Sequence, residues 1–331
     1  MKYRKFAGTD NTLVSEIGLG TWQLGGSEWG AIPESEALAT LQAAADTGVT
    51  FVDTADIYGQ GRSESLIGKF LRLQSNPSQF FVATKLGRSS DPGWPDNFQS
   101  NSVRLHTERS LKRLGLEIID LTQTHCIPPE IMQRESFWDS LRQLKQEGKI
   151  KAFGASVESV EEALNCLEVE GLSSLQIIFN VFRQKPIDEL FEKAKFKKVS
   201  IIVRLPLASG LLGGKMSKES LFASEDHRNF NRDGQAFNVG ETFAGLPFAR
   251  GLELVEKLRE FVPSGWPMAD WALRWCLDFP EVTTVIPGAS RPEQAKCNSR
   301  ASDLMPLSKD MHAAMAQFYQ DSVSEHIRGK Y

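Results

Sequence analysis

Several signals that would place this sequence in other protein classes are missing from it. Its 331 residues contain four cysteines but no CxxC pair, so neither a disulfide framework nor a metal site is indicated. It has no basic block and no apolar run of about 18 residues, and its formal net charge is -4, which argues against nucleic-acid and membrane partners. The N-terminus lacks the apolar segment of a signal peptide, so a cytoplasmic protein is expected.

A GxGxxG turn that opens a helix is also missing. The glycines of GLGTWQLGG (18–26) have a different spacing, which disfavours a doubly wound sheet, the second interpretation of the pattern. Eight β-rich runs are present instead, and amphipathic helical stretches separate them. This alternation predicts an α/β fold, a (β/α)8 TIM barrel that forms a single domain over 1–331. The runs are 16–22, 50–56, 79–85, 117–125, 151–157, 174–180, 199–206 and 281–289.

Two segments interrupt the alternation. Residues 1–16 are predicted to form a small β-hairpin before the first strand of the barrel. The segment 214–246 is polar and aromatic without a period, and a loop of that length in a compact domain is usually functional or disordered. Its part HRNFNRDGQAF (227–237) could fold as a lid over a bound cofactor and become ordered on binding, with Phe230 and Arg232 as the residues of interest.

Four ionisable side chains fall at the ends of neighbouring predicted strands, where the active site of such a barrel lies. They are Asp53, Tyr58, Lys85 and His125. Each alone has a structural explanation, but together they suggest a proton donor. A lysine ammonium would lower the pKa of the phenol, the aspartate would orient the lysine, and the histidine would orient a carbonyl oxygen. Asp56, in the same stretch, is expected to be a loop or capping residue.

The motifs around these residues resemble those of the aldo-keto reductases. FVDTADIYGQGRSESLIGKFL, ATKLG, LTQTHC, GKIKAFGAS and IPGASRPEQAKCN occur in the order and at intervals similar to that family's. The resemblance implies a (β/α)8 barrel and reduction of aldehydes or ketones with NADPH, or the reverse oxidation of alcohols. It also implies that Tyr58 is the general acid, Lys85 and Asp53 its tuning pair, and His125 the orienting residue.

The same resemblance assigns a cofactor site for NADPH/NADP+. The residues it assigns are Gly20, Thr21, Trp22, Asp53, Ser156, Gln176, Arg204, Pro206, Leu207, Ser209, Gly210, Leu211, Lys215, Gly288, Ser290, Arg291, Gln294 and Asn298. Ser290 and Arg291 would hold the 2'-phosphate that distinguishes NADP from NAD. Arg291 could instead be an exposed residue at a helix start.

Three positions depart from the family's usual pattern. Val157 stands where an asparagine is usual, and Gln294 stands where many members have a second arginine. Arg204 stands where many members place an aromatic residue that stacks on the nicotinamide. Arg204 could stack there, contact the pyrophosphate, bind an acidic substrate, or form a salt bridge at the end of the barrel.

The substrate is expected to be a small carbonyl or alcohol. Its pocket walls would be Trp22, Trp29, Tyr58, Trp94 and His125, with Phe182 as a further candidate, although large aromatic residues can equally belong to the core. Two other functions remain open at this point. One is an NAD-dependent polyol or sugar dehydrogenase on the same scaffold, and the other is a cofactor-binding regulatory subunit with little turnover. The sequence leaves the oligomeric state open.

Overall fold

The strands of the computed structural model follow the predicted alternation. It describes residues 1–10, 12–26 and 28–331, and within them eight parallel strands follow one another in chain order through one sheet. The eight predicted strands are confirmed, and the doubly wound alternative is wrong because neighbouring strands never reverse their order. The strands are β1 (Tyr3–Lys5) and β2 (Leu13–Ser15), which form a separate antiparallel hairpin, and β3 (Leu19–Gly20), β4 (Phe51–Asp53), β5 (Phe81–Leu86), β6 (Ile119–His125), β7 (Ile150–Ser156), β8 (Ser174–Ile178), β9 (Ser200–Arg204) and β10 (Val282–Val285).

The two edge strands of the large sheet, β3 and β10, are joined by backbone hydrogen bonds. The amide of Gly18 donates to the carbonyl of Val285 over 2.8 Å, and the amide of Gly20 donates to Pro287 over 3.1 Å. The amide of Val285 donates in turn to the carbonyl of Glu16 over 2.9 Å. The sheet therefore curls back on itself, as a (β/α)8 barrel requires.

Helices separate the strands and cover the outside of the sheet. Helix α7 shows the local signals, because the Oγ of Ser159 accepts from the amide of Glu162, and that glutamate accepts from the amide of Glu158. The helices are α1 (Trp22–Gly25), α2 (Glu34–Asp46), α3 (Arg62–Leu73), α4 (Ser100–Leu114), α5 (Pro129–Met132), α6 (Glu135–Gln146), α7 (Val160–Cys166), α8 (Pro186–Glu189), α9 (Phe191–Phe196), α10 (His227–Phe230), α11 (Phe248–Leu258), α12 (Met268–Leu277), α13 (Pro292–Ser299) and α14 (Lys309–Phe318). Within the described residues, no helix has both the length and the apolar character needed to cross a membrane.

The N-terminal hairpin packs against the inside of the barrel. Phe6 and Val14 belong to one buried apolar cluster with Phe51 and Phe81, which start β4 and β5. The Phe6 ring centroid lies 6.0 Å from that of Phe51 and 4.7 Å from that of Phe81. Because these strands begin at this end, the hairpin fills the end opposite to the predicted active site.

The long segment 214–246 is mostly irregular, as predicted, and contains only the short helix α10 and two 3₁₀ turns. The last residues of the chain hold it in place. Arg328 donates to the carbonyl of Gly245 over 2.9 Å and to Oδ1 of Asp233 over 2.7 Å. Arg183, only 1% exposed, donates to the carbonyl of Ala244 and lies 4.6 Å from the ring of Tyr331.

Candidate active site

The barrel strands bring the four predicted ionisable side chains to one end. Asp53 is the last residue of β4 and His125 the last residue of β6. Lys85 lies near the end of β5, where its register partner on β6 is Gln123. Tyr58 follows β4 in a turn before α3. The carboxyl ends of successive parallel strands therefore position the set, as the barrel fold predicts.

Lys85 is the centre of this group. Its Nζ lies 2.5 Å from Oδ1 of Asp53, 2.9 Å from the carbonyl of Thr54 and 3.3 Å from the phenolic oxygen of Tyr58. Lys85 is 1% exposed and Asp53 is 2% exposed. A buried ammonium with two oxygen partners and a phenol at the third position points its charge at that phenol.

The second carboxylate oxygen of Asp53 is also satisfied. Gln176 donates its Nε2 to Oδ2 of Asp53 over 2.8 Å, and Gln123 donates to the same atom over 3.2 Å. Ser156 then donates to Oε1 of Gln176 over 3.5 Å. Asp53 therefore anchors Lys85 on one side and two amides of the barrel interior on the other, which fixes its orientation.

Burial decides the protonation of the proposed proton donor. It is the largest influence on Tyr58 and raises the pKa of the phenol above its ordinary value, whereas Lys85 lowers that pKa by less. Lys85 lowers the pKa of the phenol, as the sequence predicted, but burial outweighs it and the net pKa is raised. Burial alone would lower the pKa of Lys85, but Asp53 and Tyr58 together raise it above its ordinary value. Tyr58 is thus a protonated phenol beside a charged ammonium at neutral pH.

His125 is neutral in this environment. Burial, followed by the positive charges of Arg88, Lys85 and Arg204, holds the pKa of His125 well below its ordinary value. Its ring packs edge to face on Tyr58, with centroids 5.7 Å apart. Its Nδ1 is buried without a hydrogen-bond partner among the described residues. A neutral imidazole next to the phenol can hydrogen-bond a carbonyl oxygen without adding charge.

Arg204 takes part in a buried charged cluster beside His125. It lies 3.3 Å from Oε1 of Glu241, and it donates to the carbonyl of Val157 over 3.0 Å. Arg88 donates to the carbonyl of His125 over 3.0 Å and lies 3.7 Å from the same oxygen of Glu241. Arg204 thus forms a salt bridge at the end of the barrel, one of its four predicted roles, and because it also lines the cavity the other three stay predictions.

Three potential metal ligands meet in the same cluster. One ligand atom each from Cys126, Glu158 and Glu241 lies within 4.8 Å of the others. The guanidinium of Arg88 contacts both carboxylates, however, and that of Arg204 contacts Glu241, so positive charge already lies beside the two carboxylates. Burial also raises the pKa of the Cys126 thiol, which disfavours the thiolate that a metal would need.

A cavity of about 380 Å³ opens at the carboxyl ends of the strands. Most of the predicted site residues contribute to its wall, from both the proposed catalytic and the proposed cofactor groups. Those that line it are Gly20, Thr21, Trp22, Trp29, Asp53, Tyr58, His125, Ser156, Gln176, Arg204, Pro206, Leu207, Ser209, Gly210, Gly288, Ser290 and Gln294. Lys85 lies directly behind Tyr58 and Asp53 rather than in the wall.

Some predicted cofactor residues lie outside this wall. Leu211 is 1% exposed and belongs to the core, and Lys215 is exposed to solvent. Arg291 is an exposed residue that precedes α13. Asn298 is buried and donates to the carbonyl of Gly288 over 3.3 Å. Of the two residues predicted to hold the 2'-phosphate, Ser290 therefore lies in the cavity wall and Arg291 lies outside it.

Two predicted substrate walls also lie elsewhere. Trp94 is 60% exposed and packs edge to face on Phe98, so it does not reach the cavity. Phe182 is fully buried in the core. Phe230 and Arg232 of the long segment do not line the cavity either, because Arg232 packs on Phe222 and Phe230 packs edge to face on Phe237.

An aromatic group forms one side of the cavity. The ring centroid of Trp22 lies 5.6 Å from that of Trp29 and 6.1 Å from that of Tyr58. His227 of α10 is fully buried, 4.8 Å from Trp22 and 4.5 Å from Trp29. Burial is the main cause that lowers the pKa of His227 to about 4, so the ring is neutral. His227 therefore holds the long segment against the two tryptophans.

Sequence reasoning missed several residues of the site. Arg228, Phe237 and Glu241 of the long segment line the cavity, and so does Arg88 just after β5. Gln123 binds Asp53 from β6. Because Gln123 lies two residues before His125 and alternate residues of a strand share a face, the two-residue period could have identified it. The residues of the long segment carry no such period.

Asp56 is a loop residue, as one of its two predicted roles required, but its side chain caps no helix among the described residues. It is 7% exposed, and neither carboxylate oxygen has a hydrogen-bond partner within the described residues. Its backbone amide donates to the carbonyl of Lys85 over 3.1 Å. Burial, followed by the charge of Glu64, raises the pKa of Asp56 to about 7. The turn that carries Tyr58 therefore contains a buried, uncompensated carboxyl group.

Comparison with known proteins agrees with this geometry. The sequence model of the Aldo/keto reductase family matches residues 16–320. The aldo-keto reductase YhdN of Bacillus subtilis (strain 168) is 32% identical over 315 residues, which cover 94% of this chain and 91% of YhdN. The NADH-specific methylglyoxal reductase of Escherichia coli (strain K12) is 26% identical over 318 residues, with 90% and 92% covered.

A solved structure gives the same result for the fold. The glycerol dehydrogenase from Gluconobacter oxydans has a TM-score of 0.80 and 28% identity to this chain, with 99% of this chain and 98% of that chain covered. The chain therefore belongs to the aldo/keto reductase family of oxidoreductases. The resemblance seen in the sequence motifs is confirmed, and it extends over nearly the whole chain.

Proposed function

We propose that this protein transfers hydride between NADP(H) and a small carbonyl or alcohol, with Tyr58 as the proton donor. One observation carries the proposal: Nζ of Lys85 lies 2.5 Å from Asp53 and 3.3 Å from the hydroxyl of Tyr58, directly behind a cavity wall that Asp53, Tyr58 and neutral His125 line. An ammonium behind a phenol stabilises the phenolate that proton donation leaves. This arrangement suits a proton donor for an oxygen that becomes an alkoxide.

Each residue then has one role in carbonyl reduction. When bound, the nicotinamide supplies a hydride to the carbonyl carbon. Tyr58 gives its proton to the carbonyl oxygen as the C–O double bond becomes single, and Lys85 stabilises the resulting phenolate. His125 orients the carbonyl oxygen, and Asp53 holds Lys85 in its charged form. Tyr58 regains a proton from solvent, and alcohol oxidation follows the same steps in reverse.

The residues of the cavity fit a dinucleotide. Ser156 and Gln176 offer polar groups deep in the barrel, and Ser290 and Gln294 offer them at the start of α13. Gln23 lines the same cavity, and its Oε1 is buried without a donor, which a bound ligand could supply. The chain also provides a backbone turn over 205–210 beside this path. Ser290, whose amide and hydroxyl donate to Oε1 of Gln294 over 2.9 Å, is proposed to exchange that partner for the 2'-phosphate, and the exposed Arg291 beside it is proposed to add a charged contact.

The Tyr58→Phe variant tests the proton donor. We expect its kcat for reduction of 4-nitrobenzaldehyde with NADPH to fall by about 10²–10⁴-fold, because only the phenolic hydroxyl is lost. The dissociation constant for NADPH, measured by quenching of tryptophan fluorescence, should stay within about twofold of the wild type. Tyr3→Phe, which removes the hydroxyl of an exposed tyrosine far from the cavity, is the matched control. A Tyr58→Phe enzyme with near wild-type kcat would refute the assignment.

A second candidate is an NAD-dependent polyol dehydrogenase on the same residues. The observation that favours it is the position of Arg291, which is exposed and outside the cavity wall. Without that guanidinium, the proposed 2'-phosphate site has only neutral groups from Ser290 and Gln294 in the wall. The named activities of two relatives, glycerol dehydrogenase and NADH-specific methylglyoxal reductase, are compatible with this alternative.

Dissociation constants for NADPH and NADH separate the two candidates. We expect NADPH to bind at least about tenfold more tightly, and Arg291→Ala to weaken NADPH about tenfold while NADH changes less than twofold, since a guanidinium–phosphate contact is charge-assisted. The control is Arg300→Ala, which removes another exposed arginine at the end of α13. Equal binding of both dinucleotides, or equal losses on Arg291→Ala, would favour the NAD-dependent enzyme.

A further inference from the structure

Gln23 lies in the cavity wall without an assigned role. It is the second residue of α1, directly after β3 and Trp22. Its amide group packs on the Cα of Gly288, since a Cβ added to Gly288 would lie 2.2 Å from both Nε2 and Oε1 of Gln23. Oε1 is buried and has no donor, and Nε2 has no hydrogen-bond partner among the described residues. The amide oxygen thus lacks a donor, which a ligand in the cavity could supply.

The site of this contact is the seam where the barrel closes. Gly20 and Gly288 form a parallel bridge there, and the amide of Gly20 donates to the carbonyl of Pro287. A side chain at Gly288 would overlap the Gln23 amide, so the absence of a Cβ creates the space that Gln23 fills. The seam therefore holds one specific side-chain amide in position at the cavity surface.

Gln23 lines the same cavity as the two ends of the proposed dinucleotide site, and it packs on Gly288, two residues before Ser290. The nicotinamide end is Ser156 and Gln176, and the adenosine end is Ser290 and Gln294. The part of a dinucleotide that spans such ends is its diphosphate with the adjoining ribose. An amide suits this span because its N–H group can donate to an anionic oxygen and its carbonyl can accept from a ribose hydroxyl.

We propose that Gln23 is a cofactor-binding residue that contacts the ribose–diphosphate part of the dinucleotide across the barrel seam. This inference rests on the proposed function, because it requires that the cavity binds a nicotinamide dinucleotide. The amide of Gln23 is neutral. Moving it from its packing on Gly288 to the cofactor therefore leaves no buried charge without a partner. Gln23 thereby joins β3 and the turn after β10 through the bound cofactor.

Binding measurements with three ligands test Gln23 without relying on turnover. In Gln23→Ala we expect NADPH to bind about tenfold more weakly, the usual scale for one hydrogen bond to a charged group. 2'-Phospho-ADP-ribose, which keeps the diphosphate, should weaken by a similar factor. Adenosine 2'-monophosphate, which lacks the diphosphate, should bind within about twofold of its wild-type affinity. Gln74→Ala, at an exposed end of α3, is the matched control.

Two further variants make the geometry testable. Gln23→Glu keeps the length of the side chain but places a carboxylate by the diphosphate, so it should weaken NADPH binding more than Gln23→Ala does. Added salt should reduce the difference between the NADPH dissociation constants of the two variants. Gly288→Ala should push the Gln23 amide away. It should therefore weaken NADPH binding when introduced into the wild type, and weaken it by a smaller factor when introduced into Gln23→Ala.

The outcomes separate the inference from the function on which it rests. A wild-type protein that binds neither NADPH nor NADH overturns both. A wild type that binds, with Gln23→Ala within twofold of it, overturns the role of Gln23 alone. Equal weakening of adenosine 2'-monophosphate in Gln23→Ala also overturns it, because that result would place the effect on the adenosine site rather than on the diphosphate.

Discussion

Tyr58 keeps its proton more firmly than a free phenol does, although Lys85 lies 3.3 Å away. Burial contributes more to the pKa of Tyr58 than the ammonium does, and the Asp53 charge behind Lys85 opposes the ammonium further. The role of Lys85 is therefore to limit the rise of that pKa rather than to bring it near neutrality. For the reductive direction this is favourable, since Tyr58 then stays protonated throughout the neutral range.

Asp56 is expected to make the stability of the protein depend on pH. Its pKa is raised to about 7 in the folded state from an ordinary value of 3.8. A raised folded-state pKa gives stability that is present below pH 3.8 and lost as the pH rises through 7. Between these values the unfolded chain releases the proton and the folded chain retains it. The slope is up to about 1.4 kcal/mol per pH unit.

Asp56→Asn should remove this dependence. Urea unfolding at pH 5, 6, 7 and 8 would show a variant that becomes progressively more stable than the wild type as the pH rises, since the amide carries no proton to lose. Asp46→Asn, at the exposed end of α2, serves as the control. A stability difference between Asp56→Asn and the wild type that stays constant over this range would show that Asp56 does not titrate there.

At the scale of elements, the strands were predictable and the connections were not. Asp53, Lys85 and His125 follow buried β-rich runs, and the barrel fold alone brings the ends of such runs together. The turn after β9 and the loop around Trp94 have no comparable period, so the directions of Leu211 and Trp94 could not be read from sequence. The residues of the proposed catalytic group were therefore better predicted than those of its outer walls.

The contact between Glu241 and Arg204 illustrates the same limit. These residues are 37 positions apart, and no local pattern links them, yet they lie 3.3 Å apart in the structure. The long segment reaches Arg204 because the end of the chain fixes it at Gly245 and Asp233. Such an arrangement depends on packing between distant elements, which periodicity does not encode.

Arg328→Ala should loosen the long segment without unfolding the barrel. Arg328 donates to the carbonyls of Gly245, Leu246 and Arg232 and to the carboxylate of Asp233. Loss of these bonds should speed amide hydrogen exchange over 232–246 by roughly tenfold or more, because that segment opens locally. The barrel strands should keep wild-type exchange rates.

A matched surface change controls for the loss of an arginine in that experiment. Arg104→Ala removes an exposed pair with Glu147 on the far helices and should leave the exchange of 232–246 unchanged. If Arg328→Ala and Arg104→Ala gave the same exchange pattern, the end of the chain would not hold the segment.

For the whole molecule, the hairpin is predicted to contribute stability rather than activity. Phe6 is 1% exposed and packs on Phe51 and Phe81 inside the barrel. Phe6→Ala should lower the free energy of unfolding by about 3–5 kcal/mol, the usual cost of emptying a buried phenylalanine site. At a temperature where it remains folded, its kcat should match the wild type, because the cavity lies at the other end.

Leu13→Ala is the control for that measurement, because Leu13 belongs to the same hairpin but is 57% exposed. Its loss of stability in urea should be within about 0.5 kcal/mol, as for surface changes in general. If Phe6→Ala cost no more than Leu13→Ala, the hairpin would not contribute to the barrel interior.

The end of the barrel that the N-terminal hairpin fills, opposite to the cavity, has a consequence for the order of ligand binding. Because Phe6 and Val14 occupy it, the described part of the barrel offers the dinucleotide and the small substrate one shared mouth. Two ligands that share one opening must enter one after the other. If both ligands use this opening, the one that binds deeper must enter first, so we expect binding and release to follow a fixed order past the segment that carries Glu241 and Phe237.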